Sequence, residues 1–413
     1  MKKISNGNIL KNTGMLMIFN ISKMIFPFLT LPYLTRVLST NMYGSVAYVK
    51  TVMSYMQIIV DFGFMLSATK EVVVCKEDKQ ELEKVIGKTI FAKLILGGVA
   101  FLLLLLLILI LPILRQNITF TLLSYLVVFE SIFLMDFLFR GLEIMQIITI
   151  RFIVMKTVST VLTFLCVKDN HDLLLIPLFD IVGSLIAIVL VWVEIRKMNL
   201  KIKFCQMKNV FKSIKDSFIF FLSNIASTSF NALSTIILGL ELDATSVAFW
   251  SVCMQVITAV QAFYTPISDG VYPEMVKTRN LGIIKRTIRI CFPILVCGCL
   301  AMYFFAEIGM FILGGEQYVI VVPIFRLLIP TVFLGFFSVL FGWPTLGAIE
   351  KTRETTFSTI CSGSLNIMAM LFLIIIHKFD LFYIAIIRSL TEFCLFSIRV
   401  YFLKKNISAF ESY

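Results

Sequence analysis

Long apolar runs dominate the chain and are separated by short polar breaks. The run at residues 90–114, which contains FLLLLLLILILPIL, exceeds the roughly 18–20 apolar residues that cross the hydrocarbon core of a bilayer. A helix in the core of a soluble protein would be shorter and would carry a polar stripe. The pattern therefore predicts an all-α integral membrane protein, in which lipid is the solvent for most of the chain.

The apolar runs predict twelve membrane-spanning helices. The predicted spans are Leu16–Val37, Tyr43–Ser67, Ile90–Leu114, Ile118–Leu138, Ile144–Val167, Leu173–Val193, Phe218–Leu240, Thr245–Ile267, Ile288–Leu313, Val319–Gly347, Thr356–Ile376 and Leu381–Leu403. The most polar stretch without a span falls at the midpoint. We therefore expect an N-terminal six-helix lobe at 1–193, a basic cytoplasmic linker at 194–217 and a C-terminal six-helix lobe at 218–413.

A faint internal similarity agrees with this division. At an offset of 204 residues, Gln57 falls on Gln261, and the polar break near Asn41 falls on the break near Asp243. Two six-helix lobes with the substrate path between them are a common plan for transporters.

The positions of lysine and arginine predict the orientation in the membrane. The termini and the loops on their side carry about 25 of these residues, and the loops on the other side carry about four. Basic loops remain in the cytoplasm, so both termini are expected there, in the bacterial cytoplasmic (inner) membrane. This also accounts for the net charge of +12 as a surface for anionic lipid heads, and nucleic acid is not an expected partner.

Composition leaves little material for catalysis. The mean hydropathy is +0.95 and only 15% of the residues are charged. The nine cysteines show no metal-ligand spacing, the two histidines lie in polar breaks without a nucleophile nearby, and no Walker-type glycine loop occurs. The outer loops are too short for the catalytic groups of a polymerase or a lipid-linked glycosyltransferase. We therefore expect neither an enzyme nor a cofactor or metal site.

Charged residues inside the spans are the informative ones. Each raises the free energy of membrane insertion by about 2.5–3.5 kcal/mol at mid-helix, so it normally faces a wet cavity or a partner. Lys93 and Arg399 lie near the cytoplasmic interface, where their charged ends are expected to reach water. Asp136 is expected to pair with Arg140. Further buried charges occur at Glu130, Asp180, Arg326, Arg388 and Glu392, of which Arg388 and Glu392 are four residues apart and can neutralise each other.

A second group of charges lies deeper and has no opposite charge three or four residues away. The group consists of Lys23, Lys50, Asp61, Arg151 and Lys156. These residues either pair between helices or line a cavity. Basic members outnumber acidic ones, so a cavity lined by them would be positive and would call for an anionic substrate.

The chain resembles Wzx-type flippases of O-antigen and capsule repeat units, in the polysaccharide transport branch of the multidrug/oligosaccharidyl-lipid/polysaccharide superfamily. The motifs that carry the resemblance, in chain order, are Pro27-FLTLPYLTRV-Leu38, Tyr43-Gly44, Val60-DFG-Phe64, Phe139-RGL-Glu143, Pro266-IS, Tyr272-Pro273 and Arg326-LLI-Pro330. One departure is Leu38-Ser39, where the family usually has Leu-Gly.

The resemblance implies a V-shaped, alternating-access bundle that carries an undecaprenyl-diphosphate-linked oligosaccharide to the outer leaflet. Because a diphosphate is the kind of anion that a basic cavity calls for, we expect Lys23, Lys50, Arg151 and Lys156 to contact the diphosphate or sugar, with Arg326 and Arg388 as weaker candidates from the second lobe. Asp61, Glu130 and Asp180 are candidates for ion coupling because of their depth. Membrane lipids and the polymerase and chain-length proteins of the same pathway are the expected partners. A drug or cation extruder of the same superfamily and a membrane polymerase remain as alternatives.

Overall fold

The computed structural model describes residues 6–203 and 206–410, and these residues form α-helices joined by short turns. The α-helices are α1 (Asn6–Val37), α2 (Thr40–Asp61), α3 (Phe64–Cys75), α4 (Lys79–Ile110), α5 (Pro112–Gln116), α6 (Ile118–Glu130), α7 (Asp136–Gly141), α8 (Met145–Cys166), α9 (Leu175–Lys197), α10 (Met207–Glu241), α11 (Ala244–Gln261), α12 (Tyr264–Thr278), α13 (Leu281–Phe304), α14 (Ala306–Gly314), α15 (Val322–Phe341), α16 (Thr352–Ile375) and α17 (Leu381–Lys405).

About twelve helical segments cross the membrane, as predicted. Ten segments in the described part of the chain are long and apolar enough to cross a membrane, judged by length and composition alone. The helices α2 and α10 are more polar than these ten, and they lie at the second and seventh predicted spans. The α2 helix carries Lys50, Gln57 and Asp61, which lower its hydropathy. The chain is thus an all-α integral membrane protein.

The chain divides into two compact units, Met1–Thr228 and Ser229–Tyr413. The boundary falls inside α10, beyond the end of the predicted basic linker. The extent of the two predicted lobes therefore stays a prediction, and we refer below to unit 1 and unit 2.

The two units repeat the same order of elements. The helices α1 and α10 end at Val37 and Glu241, and the next helices begin at Thr40 and Ala244, so both pairs are 204 residues apart. The α11 helix is one turn shorter than α2, and each is followed by a two-residue turn and a short helix. Later in each unit, an α-helix passes directly into a distorted helical segment. These are a 3₁₀ segment at Ser131–Leu134 and a π segment at Gly342–Leu346.

Side-chain caps fix where several helices begin. The side chain of Asp78 accepts hydrogen bonds from the backbone N–H groups of Gln80 and Glu81, and Asp243 accepts one from Ser246. Partial burial acts to raise the pKa of Asp243, but hydrogen bonds from Ser246 and Thr245 together outweigh this effect and hold the pKa below its usual range. Ser39 caps α2 at the Met42 N–H, so the departure from Leu-Gly at this turn supplies a helix cap.

Candidate substrate and coupling site

A cluster of charges in unit 1 joins Lys50, Lys156 and Asp180. The Lys156 Nζ lies 3.1 Å from Asp180 Oδ1, and the Ser159 hydroxyl donates to the same oxygen at 2.7 Å. Lys50, on α2, interacts electrostatically with both Asp180 and Lys156. Three of the predicted site residues therefore lie together, although they come from α2, α8 and α9.

The basic charge of this cluster exceeds its acidic charge. Lys50 is exposed and makes no ion pair with a described residue. The Lys156 side chain is 33% exposed, and its ammonium has three donors, of which Asp180 takes one. The cluster can therefore bind an anion through lysine donors that remain available.

Gly183 brings α9 close enough to α8 to form this cluster. A Cβ atom at Gly183 would lie 2.5 Å from the carbonyl oxygen of Met155, the residue before Lys156. Small residues commonly allow membrane helices to approach in this way. The close approach places Asp180, one turn earlier on α9, within reach of Lys156.

We expect Gly183→Ala to destabilise the protein by about 1–3 kcal/mol, because the added methyl group overpacks the contact between α8 and α9. The thermal midpoint of the purified protein in detergent measures this effect. Gly98→Ala is the matched control, since nothing lies within 4 Å of a Cβ there and alanine favours the helix. Equal midpoints for the two variants would contradict the role assigned to Gly183.

Glu130 adjoins this cluster through α9. Its carboxylate lies close to the side chain of Ser184, one turn after Asp180. The second oxygen, Oε2, is buried and has no hydrogen-bond partner among the described residues. An ionised carboxylate is costly to bury without a partner. Among the three predicted coupling carboxylates, Glu130 is therefore the one without an ion pair among the described residues.

A separate network neutralises Asp61. The Lys93 Nζ lies 2.7 Å from Asp61 Oδ1, and the Gln57 Nε2 donates at 2.9 Å to both Asp61 and the Ser131 hydroxyl. The expectation that Lys93 extends to the interface is wrong, because its side chain is 7% exposed and pairs with α2. Gln57 thus bridges α2 to the interrupted helix that contains Ser131.

Gln261 makes the corresponding bridge in unit 2. Its Nε2 donates to the Thr331 carbonyl on α15 at 3.1 Å. The glutamines that align at the offset of 204 residues therefore both connect the second helix of their unit to the later, interrupted helix.

Lys23 lies apart from the charge cluster in the described contacts. Its ammonium is exposed and sits 4.9 Å from the ring centre of Phe19. The ring of Phe152, on α8, packs edge-on against both Phe19 and Phe26. Lys23 is therefore a cation beside an aromatic group, without an ion pair among the described residues.

Arg151 is buried and forms an ion pair with Asp136. Asp136 therefore pairs between helices, and the expected local pair with Arg140 is absent from the described ion pairs. The interaction joins α8 to the start of α7, directly after the 3₁₀ segment. Of the four basic residues predicted in unit 1, Arg151 is thus the one whose charge is compensated in a buried pair.

The charged residues of unit 2 are largely satisfied within the unit. Arg388 pairs with Glu392 at 3.2 Å, as expected from their spacing. The Arg326 Nε donates to the Tyr303 carbonyl at 3.2 Å, and its guanidinium lies over the Tyr303 ring. Arg399 is buried, where it donates to Ser358, Thr359 and the Ser338 carbonyl. The expectation that Arg399 reaches the interface is therefore wrong.

Two serines that adjoin the charged residues were not predicted. Ser159 follows Lys156 by three residues, and Ser184 follows Asp180 by four, so each lies on the same helix face as its neighbour. That spacing is the signal that could have identified both serines.

The fold is that of multi-pass transporters. A solved inward-facing multidrug resistance MATE family transporter of the MOP superfamily superposes with a TM-score of 0.69 and 14% identity over 96% of this chain and 98% of that one. At this identity the likeness concerns the fold alone.

The sequence comparisons define the family. The model of the polysaccharide biosynthesis protein family matches residues 9–279. The putative O-antigen transporters of Shigella dysenteriae and Escherichia coli (strain K12) are each 26% identical, over 269 and 275 residues respectively. Both matches cover 65% of this chain, with 67% of the Shigella protein and 65% of the Escherichia protein. The chain belongs to the polysaccharide biosynthesis protein family, and the resemblance drawn from its motifs is confirmed.

Proposed function

We propose that this chain is a polysaccharide-related membrane transporter that moves an undecaprenyl-diphosphate-linked oligosaccharide repeat unit between leaflets, for O-antigen or capsule assembly. The family and the two relatives named O-antigen transporters support this assignment. The direction is from the cytoplasmic to the outer leaflet of the bacterial inner membrane, with both termini in the cytoplasm. A polymerase and chain-length proteins of the same pathway receive the product.

The observation that carries the substrate class is the cluster of Lys50, Lys156 and Asp180. Inside the membrane-spanning region Lys156 pairs with Asp180, and Lys50 interacts electrostatically with both. An anion can therefore take the place that Asp180 holds on Lys156 and bind Lys50 as well. A diphosphate offers several oxygens to these donors. Its polyprenyl tail can remain in lipid while the sugar follows the polar side chains.

The other predicted site residues differ in how directly we expect them to contact the substrate. Lys23, beside Phe19, is a cation for the diphosphate or a sugar contact. Arg326 and Arg388 remain weaker candidates because they are engaged within unit 2. Arg151 contacts substrate only if the pair with Asp136 opens, so we expect it mainly to hold α7 against α8.

The membrane potential and a proton gradient are the two proposed energy sources. Moving a negative charge out of a cell with a negative interior is favourable by about 2.3 kcal/mol per 100 mV. Among Asp61, Asp180 and Glu130, we favour Glu130 as the proton carrier because one of its oxygens lacks a partner among the described residues.

Transport in sealed vesicles tests the proposal. We expect the full-length protein to move a lipid-diphosphate-linked oligosaccharide faster when an outward driving potential or a pH gradient is imposed. The measurement is the fraction of sugar accessible to a non-permeant glycosidase. Empty vesicles give the baseline. Movement that did not exceed this baseline would contradict the function, and movement that ignored both gradients would contradict the coupling.

A second candidate is a drug or cation extruder of the same superfamily. The MATE-like fold and the aromatic group of Phe19, Phe26 and Phe152 favour it. The same vesicles discriminate between the two functions, since an extruder would transport a cationic dye and leave the lipid-linked sugar in place.

A further inference from the structure

The α10 helix is too long to lie entirely within the hydrocarbon core. Its 35 residues extend about 52 Å at 1.5 Å per residue, and the core is about 30 Å thick. The predicted span begins near Phe218, so the first three turns, residues 207–217, extend beyond the core on the side of the basic loops.

This extension has three distinct faces. Val210, Ser213 and Ser217 are buried, and the Ser217 hydroxyl lies 2.6 Å from that of Ser67 on α3. A second face is apolar and exposed. It is formed by Met207 (46% exposed), Phe211 (57%) and Phe218 (48%), spaced four and seven residues apart. The helix is thus held to unit 1 by one face and presents bulky apolar groups on another.

A row of lysines borders the apolar face. Lys208, Lys212 and Lys215 follow the i, i+4, i+7 spacing of one helix side and are all exposed. Asp216 is the one acidic residue in this segment. Aromatic groups beside a row of lysines are the arrangement by which helices bind an anionic lipid surface.

The segment before α10 is anchored to α4. Both carboxylate oxygens of Glu83, near the start of α4, are used. One accepts the Lys201 backbone N–H at 3.0 Å, and the other pairs with the Lys203 ammonium at 2.8 Å. The Lys203 carbonyl also leaves no space for a Cβ at Gly87. Lys201 and Lys203 are therefore held against α4, five residues before the lysine row begins at Lys208, and Ser217 is held against α3.

We propose that residues 207–218 of α10 are a binding surface for anionic phospholipids of the surrounding bilayer. Lys208, Lys212 and Lys215 bind the phosphate-bearing headgroups. Phe218 enters the upper acyl region, and Phe211, about 10 Å further out along the helix, lies among the headgroups. The positive charge of the lysine row matches anionic headgroups, and the length of the helix places this face at the depth of the membrane surface. We therefore expect a lipid bilayer, and not a protein, to cover this face.

The depth of the apolar face can be measured in the full-length protein. Phe211→Trp is reconstituted in bilayers whose lipids carry a spin label on the headgroup, and the fluorescence of the native tryptophans is subtracted using the unsubstituted protein. We expect strong quenching by the spin-labelled lipids. Quenching by a water-soluble agent alone would overturn the proposal, because the face would then be open to water or reserved for a protein partner.

The headgroup preference is tested by native mass spectrometry of protein extracted from mixed phosphatidylglycerol and phosphatidylcholine bilayers. We expect Lys208→Gln, Lys212→Gln and Lys215→Gln together to reduce bound phosphatidylglycerol at least tenfold, since each lysine near the surface contributes about fivefold. The matched control removes three exposed lysines elsewhere, at Lys79, Lys404 and Lys405. Equal loss in both variants, or no loss in either, would overturn the proposal. Neither readout depends on transport, so its result is independent of the proposed function.

Discussion

Replacing both Lys50 and Lys156 with glutamine should lower the apparent affinity for the lipid-linked substrate at least about 100-fold. Each charged hydrogen bond to the diphosphate is worth about 1.5–3 kcal/mol, and the variant loses two. Asp180 then remains without its cation, which adds a repulsive charge at the same place. The initial rate of sugar translocation into sealed vesicles, measured over a range of substrate concentrations, reports this loss.

Two controls separate binding from folding. Lys50→Arg with Lys156→Arg keeps both charges and should retain most of the transport. Lys79→Gln with Lys404→Gln removes two exposed lysines outside the cluster and should leave the rate unchanged. Wild-type affinity in the double glutamine variant, with normal amounts of protein in the membrane, would exclude the cluster as the diphosphate site.

The membrane-spanning helices could be predicted because their cause is local. A run of about 20 apolar residues is sufficient to identify a span, whatever the rest of the chain does. This rule also holds for the second span. Lys50 and Asp61 make that span more polar, and yet α2 forms at the predicted position. The interruptions inside spans were not predicted, because 3₁₀ and π segments depend on contacts from other helices.

The partners of the buried charges could not be predicted, because they depend on which helices are neighbours. Lys93 pairs with a residue 32 positions away, and Arg151 pairs with one 15 positions away. Depth along the helix was a misleading guide for Lys93 and Arg399. Both lie within reach of the interface, but buried polar groups on adjacent helices hold them inside. Among the buried ion pairs of the described residues, only Arg388 and Glu392 lie on one helix. Spacing identified this pair, but it also predicted a pair of Asp136 with Arg140 that does not form among these residues.

Removing Arg388 should destabilise the protein by about 3–5 kcal/mol, because Glu392 would remain charged, buried and unpaired. The two side chains are only 4% and 6% exposed. We expect Arg388→Met to lower the thermal midpoint in detergent sharply. Arg388→Met combined with Glu392→Met should recover most of the loss, since no uncompensated charge remains. Lys197→Met is the matched control, because its pair with Glu194 is also local but largely exposed, where such pairs are worth about 0–1 kcal/mol.

The stable double variant then decides what Arg388 does. If the arginine serves only to neutralise Glu392, the double variant should transport at close to the wild-type rate once its stability is restored. If the guanidinium also contacts the diphosphate, transport should remain impaired although the midpoint has recovered. A single Arg388→Met variant as stable as the wild type would contradict the buried pair itself. Midpoint and transport together therefore separate the structural from the substrate-binding role, which neither measurement does alone.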